Sequence, residues 1–401
     1  MSANNKGQNV ANAPLLRFPE FDGEWSMSSL GECCGDFEYG MNAPAKKFDG
    51  INKYIRITDI DDETNRYDDN NPVSPDGNLD NKYIVKKNDI LFARTGASTG
   101  KTYLYNPNDG KLYFAGFLIR ANVKDCNDAR FVFQLTQTSK FKKWINIVSM
   151  RSGQPGINSQ EYASFSFEKP QIQEQKKIAE FLSLLDKRIE TQRSAIEKLK
   201  SLMAGIRKYA QSLNSCKSTF LRDILTERKE KNTSLYPVYS VAVKEGIINQ
   251  IEHLGRSFAA KDTANYHVVH EDDIVYTKSP TGNFPYGIVK KSFTYLPVAV
   301  SPLYGVYIPK NKDIACFLHY YFLSPANTNN YLHCLIQKGA KNTINITNQH
   351  FLDNTIDLPG SEDLHKIVKG ILTIQNKIEI ESNTLKCYLY QKSHLLSKMF
   401  I

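Results

Sequence analysis

The chain contains itself twice. From Ile157 to Pro170 it reads I-N-S-Q-E-Y-A-S-F-S-F-E-K-P, and from Ile346 to Pro359 I-T-N-Q-H-F-L-D-N-T-I-D-L-P, at a constant offset of 189 residues. Ile, Gln and Pro coincide and Tyr162 faces Phe351; the same offset carries Lys177-Ile178 onto Lys366-Ile367 and Ile189-Glu190 onto Ile378-Glu379. Earlier segments echo more faintly. K-N-D-I-L-F-A-R-T-G from Lys87 resembles E-D-D-I-V-Y-T-K-S-P from Glu271, and R-S-G-Q-P-G-I-N from Arg151 resembles K-G-A-K-N-T-I-N from Lys338. Matches in the same order make two copies of one unit, each a β-rich globular region, then a proline, then a helix.

After Pro170 the apolar period changes. Ile178, Leu182, Leu185, Ile189, Ile196, Leu199, Met203, Ile206, Ala210 and Leu213 recur at spacings of four and three, interrupted by Gln192. That is a heptad seam. The second copy gives Ile367, Ile371, Ile374, Ile378, Leu385, Tyr388, Leu395 and Met399, with Glu381 where Gln192 falls and Lys392 weakening the last turns. A helix of roughly 35 residues spans roughly 50 Å and cannot bury such a seam alone. The pattern predicts an α+β fold: two globular α/β regions separated by two long antiparallel helices forming a coiled coil, with a pseudo-two-fold internal repeat. The expected boundaries are a disordered tail over 1–16, globular regions over 17–169 and 215–358, and helices over 170–214 and 359–401. The alternative is a homodimeric coiled-coil adaptor without DNA reading, each helix pairing with its copy in a second chain.

Little in the chain suggests catalysis. The segment I-L-F-A-R-T-G-A-S-T-G-K-T, Ile90 to Thr102, ends like a phosphate-binding loop, but Gly96 lies one residue too close to Gly100-Lys101. Such a loop must also open a helix, whereas Tyr103-Leu104-Tyr105 is β-prone. A tight turn between strands, with Gly96 and Gly100 at positive φ, is expected instead. The segment Asn283-Phe284-Pro285-Tyr286 approaches an amino-methyltransferase loop but has Phe284 in place of its first proline. All eight histidines lie at or beyond His253, and the seven cysteines form no C-x-x-C pair. No metal site is expected. The acidic run Asp59, Asp61, Asp62, Glu63, Asp68, Asp69 has no calcium-loop spacing and reads as a solvated loop. With no long apolar run and no signal-like start, a cytoplasmic location is expected. The net charge of +9 permits nucleic-acid binding.

The stretch P-Q-I-Q-E-Q-K-K-I-A-E-F-L-S-L-L-D-K-R-I, Pro170 to Ile189, resembles the specificity subunit of type I restriction–modification systems. The family's linker signature falls on Pro170, Glu174, Gln175, Ile178, Ala179, Leu182, Asp186 and Ile189. The opening R-F-P-E-F-D-G-E-W from Arg17 and D-I-L-F-A-R-T-G from Asp89 are also similar to family members. The second copy departs from the signature, with Asp363-Leu364 for Glu174-Gln175 and Gln375 for Asp186. The resemblance implies that each globular region is a target-recognition domain reading half of a bipartite asymmetric site in double-stranded DNA. It implies that the helices set the spacer and dock two adenine methyltransferase subunits, and that two motor–nuclease subunits can join for cleavage. S-adenosylmethionine, ATP and Mg would then sit on those partners, none on this chain. Glu174, Gln175, Lys187 and Arg188 are the expected methyltransferase contacts.

A DNA reader needs donors and acceptors on exposed loops. Four polar loops qualify: Arg94–Lys101 and Arg151–Asn158 in the first copy, Lys278–Asn283 and Gln337–Asn345 in the second. Arg94, Lys101, Arg151, Lys278, Lys338 and Lys341 are candidates for phosphates or guanine edges. Gln154, Asn283 and Asn342 are candidates for adenine, and Thr95, Ser98, Ser152, Ser279 and Thr281 for phosphate oxygens.

Overall fold

The repeat in the sequence is a repeat of topology. The computed structural model describes residues 12–150, 153–251, 262–338 and 344–401. The chain divides into two units, Met1–Ser194 with Asn383–Ile401, and Ala195–Ser382.

In the first unit, strand β1 (Ser26–Ser29) pairs antiparallel with β6 (Ser166–Lys169). Between them lie β2 (Cys34–Tyr39), β3 (Asp89–Ala93), β4 (Thr102–Leu104) and β5 (Leu118–Val123), a four-stranded sheet in the order β2-β5-β3-β4. Helices α1 (Ala129–Leu135) and α2 (Ser139–Val148) follow, capped by Asp128 and Thr138. In the second unit β7 (Lys217–Phe220) pairs with β12 (Thr355–Leu358). Strands β8 (Leu225–Glu227), β9 (Ile274–Tyr276), β10 (Val289–Lys291) and β11 (Gly305–Pro309) lie in the order β8-β11-β9-β10. Helices α3 (Lys312–Phe322) and α4 (Pro325–His333) complete the copy.

Strand β3 has no polar face because it is covered on both sides. Ile90 and Phe92 enter the core shared with α1 and α2, while Leu91 and Ala93 enter a second core with Ile55 and Phe114. Strand β9 repeats this, with Ile274 and Tyr276 on one side and Val275 on the other. Alternation by two then yields a continuous apolar run. Each of these strands begins after a left-handed turn, with φ of +69° at Asn88 and +71° at Asp272. Asn and Asp tolerate this conformation better than other L residues. Asp89 and Asp273 are each 1% exposed. They accept from Lys86 N at 2.7 Å and His270 N at 2.8 Å respectively. Asn122 Nδ2 donates to Asp89 at 2.6 Å, and Arg228 Nε to Asp273 at 2.7 Å. Burial pushes both carboxyls above their ordinary range, against these hydrogen bonds.

The two long helices run Ile172–Gln211 and Ser361–Met399. In the first unit Ile178, Leu182, Leu185 and Ile189 share a core with Leu395, Leu396, Met399 and Phe400. In the second, Met203 and Ala210 share one with Ile367 and Ile371, and Ile206, Ile374 and Ile378 pack against it. The start of each helix therefore lies with the end of the other, which is an antiparallel pair whose seams are buried within one chain. Lys392 does not simply weaken the last turns: its Nζ lies 2.6 Å from Asp186 Oδ1, and Asp186 also accepts from Gln134 Nε2 at 2.6 Å.

The segment expected to be a tail is anchored before Arg17. Trp25 N donates to Asn12 O and Leu16 N to Lys398 O, both at 2.8 Å. Residues 1–11 lie outside the described residues.

His319 on α3 packs edge-on to Phe293, and its Nδ1 accepts from Lys291 N at 3.2 Å. Burial, aided by Lys290 and Lys291, pushes its imidazole down to about 3. The unfolded chain, with an ordinary histidine near 6.5, takes up this proton first as pH falls. His319 should therefore remove stability from the second unit as pH drops from about 6.5 towards 3. Thermal unfolding of His319→Leu against the parent across that window is expected to show a shallower decline; parallel curves would contradict it.

Candidate nucleic-acid interface

Strands β3 and β4 form an antiparallel hairpin, Phe92 opposite Thr102, whose tip is Arg94–Lys101. Gly96 and Gly100 have φ of +76° and +91°, as the turn reading requires. The amides of this tip are spent on the chain itself. Gly96 N donates to Pro155 O, Thr99 N to Gly96 O, Gly100 N to Ala93 O and Lys101 N to Ser98 O, at 3.0–3.1 Å. They do not curl around an anion, and β4 follows instead of a helix. A side chain at Gly100 would meet Ile145 of α2 at 2.6 Å.

The two loops predicted for the first copy come together. Thr95 bridges Gly156, and Ile157 N donates to Arg94 O at 2.9 Å. Gln154 Nε2 lies 3.1 Å from where a Cβ on Gly96 would stand. Tyr162 holds the junction from beneath through a 2.6 Å bond to Ala93 O. Arg94 lies 4.8 Å above the Tyr39 ring, and its buried Nε finds no hydrogen-bond partner among the described residues. Tyr39 is itself fixed by Ser159 N at 3.2 Å. Its hydroxyl is held below the usual range, chiefly by the hydrogen bond with Ser159. Thr95 and Ser98 are half-buried on the same tip. Lys101 is engaged within the chain itself. Its side chain is 11% exposed and pairs with Asp62, while its Nζ donates to Ile60 O at 2.9 Å, so it is not held free at the surface.

In the second copy the loop Lys278–Asn283 joins β9 to β10 at the equivalent place in the sheet. Thr281 and Phe284 exchange both backbone hydrogen bonds at 3.0 Å around Gly282, with φ of +53°. This presents Ser279, Thr281 and Asn283 to solvent while Phe284 is 5% exposed. Phe284, which spoiled the methyltransferase motif, is thus an apolar anchor for the turn. Lys278 is half-buried, and burial lowers its pKa. Asn329 of α4 donates to Asn283 O at 3.2 Å, and α4 leads on to the short strand Gln337–Lys338, paired with Ile344–Asn345. Lys338 stands in that strand; Arg151, Ser152, Lys341 and Asn342 lie outside the described residues.

Glu174 and Gln175, expected at a partner interface, are turned inward instead. Each is 2% exposed and therefore not presented to a partner. Arg17 Nε and Nη2 grip the Glu174 carboxylate at 2.8 and 2.7 Å. Gln175 accepts from Asp128 N at 3.0 Å and donates to Pro170 O at 2.9 Å. The second copy repeats the arrangement in other chemistry. Asp363 accepts from Ser215 Oγ at 2.6 Å, and Leu364, 4% exposed, joins the core. The departure from the linker signature is an internal repacking. Lys187 and Arg188 remain exposed, Arg188 lying 5.9 Å from the Tyr388 ring. Sequence reasoning did not find Tyr39 or Asn329 and read Asp62 only as part of a solvated acidic run, because each reaches its loop only through the tertiary fold.

Residues 23–201 and 216–387 each match the type I restriction modification DNA specificity domain. The chain is similar to the type I restriction–modification S subunit from M. genitalium, with a TM-score of 0.59 and 15% identity, covering 97% of this chain and 99% of that one. A chain described for complex assembly and conformational transition of a type I R-M system covers 94% and 97%, with a TM-score of 0.48 and 14% identity. The HsdS subunit from Thermoanaerobacter tengcongensis covers 94% and 96%, with a TM-score of 0.40 and 16% identity. At such identities the M. genitalium likeness speaks for the fold, and the family match speaks for kinship. With the specificity domain present in both copies of one repeat, the chain belongs to the type I restriction–modification specificity family, as a DNA-recognition subunit.

Proposed function

We propose that each unit reads one half of an asymmetric bipartite DNA site. The observation that carries this is the same sheet ending in the same hairpin twice, with different residues at the two tips: Arg94, Thr95 and Ser98 on one, Lys278, Ser279, Thr281 and Asn283 on the other. A common scaffold with unlike tips gives two unlike half-sites. The paired helices set the unread spacer, and their outer faces, including Lys187 and Arg188, dock two adenine methyltransferase subunits. Two motor–nuclease subunits join when the assembly cleaves. In this reading the chain does no chemistry itself and works in the cytoplasm; S-adenosylmethionine, ATP and Mg belong to the partners. Among the described residues no helix is long and apolar enough to cross a membrane.

Arg94 is the residue to test first, because stacking on Tyr39 steadies its guanidinium while leaving it at the tip. Stacked arginine suits guanine edges and phosphates. Arg94→Ala is expected to weaken duplex binding by about 1–3 kcal/mol. Fluorescence anisotropy on the full chain checks this, and unchanged affinity would remove Arg94 from the interface.

A further inference from the structure

Beside the first hairpin tip lies a cleft of about 270 Å³, lined among others by Asp62, Ser98, Thr99, Lys101 and Lys142. We propose that this cleft is a site for a backbone phosphodiester of DNA, and that Asp62 stands in for that phosphate until DNA arrives. The proposal rests on the reading of the first unit as a DNA reader.

Lys101 is held from two sides. Ile60 O accepts from its Nζ at 2.9 Å, and Asp62 pairs with it directly. The two carboxylates before Asp62 are fixed by their own turn. Asp59 accepts from Arg56 N, Nε and Nη2 at 2.7–2.9 Å. Asp61 accepts from Glu63 N, Thr64 N and Thr64 Oγ1 at 2.7–3.1 Å. Asp62 is different: its side chain is 83% exposed, and Lys101 is its partner among the described residues. The turn is also pinned without it. Asn65 Nδ2 donates to Gln137 Oε1 at 2.9 Å, Glu63 pairs with Arg193 at 2.8 Å, and Arg66 pairs with Glu190. Asp62 can therefore swing away while the turn and the lysine stay in place.

The chemistry of the exchange is balanced. A phosphodiester carries one negative charge and accepts hydrogen bonds, as the carboxylate does. Asp62 is 83% exposed, so its carboxylate is hydrated again as it leaves, and displacing it costs little. The incoming phosphate gains Lys101, the Lys142 side and the Ser98 and Thr99 hydroxyls that line the cleft. It also releases its condensed counterion. Until then Asp62 withholds a cation from non-specific DNA.

The test is duplex binding by the full chain, followed by anisotropy over a range of salt. Asp62→Asn is expected to bind about 3–10-fold tighter with its salt slope unchanged, because the phosphate no longer has to displace a carboxylate. Lys101→Ala, by contrast, should lower the slope by about 0.9, the loss of one phosphate contact. In Asp62→Asn/Lys101→Ala the gain should disappear. If the parent binds DNA and Asp62→Asn binds no tighter, the stand-in role is overturned while the DNA reading survives. If the parent binds no duplex, the DNA reading falls and takes this proposal with it. Inorganic phosphate at constant ionic strength is expected to leave the gain intact; if it abolishes the gain, the cleft is a free-phosphate site and the DNA assignment is overturned.

Discussion

Gly287→Ala is expected to cost the second unit about 3–4 kcal/mol, enough to unfold a marginal domain. Gly287 has φ of +102°, and an added Cβ would stand 1.9 Å from Thr277 O and 2.9 Å from its carbonyl carbon. A flexible side chain could yield to such a clash, but the backbone of a hydrogen-bonded residue cannot. Thr277 is tied to Ile288 through a 2.9 Å N–H···O bond and a 3.1 Å bond from Ile288 N to its hydroxyl. Relief therefore opens the β9–β10 hairpin that carries Lys278 to Asn283. Thermal unfolding should show an early transition in the variant, accompanied by loss of one half of the recognised DNA site. An unshifted transition would show that the strands do not approach so closely.

Glu174→Ala should destabilise the first unit by about 3 kcal/mol, because it leaves the Arg17 guanidinium without its bidentate partner in a largely buried position. Arg17 is 15% exposed and Glu174 2% exposed. The hydrogen bond to Glu174 raises the Arg17 pKa, but an arginine is already protonated far above neutral pH, so it stays charged when the partner is removed. Removing both charges together, in Arg17→Met/Glu174→Met, is expected to recover much of the loss, since two apolar chains avoid the unpaired charge. Calorimetry on the single and double variants checks this. Equal, additive losses would mean that the two groups do not act as a pair.

The constant offset made the architecture legible, because a repeated unit needs the same apolar faces in the same order. The hairpin at Gly96 and Gly100 was legible too, since positive φ and β-prone flanks are local properties. Pairing across the fold was not. Lys101 reads as a free cation until the structure brings Asp62 to it. Lys392 reads as a defect in a seam until Asp186, more than two hundred residues earlier, meets it. Glu174 and Gln175 look like surface residues in a charged helix start, yet Arg17 and the α1 cap turn them inward. The buried Asp89 and Asp273 were hidden for the same reason: an aspartate before an apolar run resembles a turn residue, and its burial depends on Asn122 and Arg228 from other segments.

The most direct test of the account is an adenine-methylation map of cells making this chain with a methyltransferase partner, against cells lacking this chain. The account predicts a new asymmetric motif in two parts, separated by a fixed gap of unspecified bases, with one part lost in Gly287→Ala and the other weakened in Arg94→Ala. A stable complex that methylates no new motif, or one that methylates a continuous undivided motif, would contradict it.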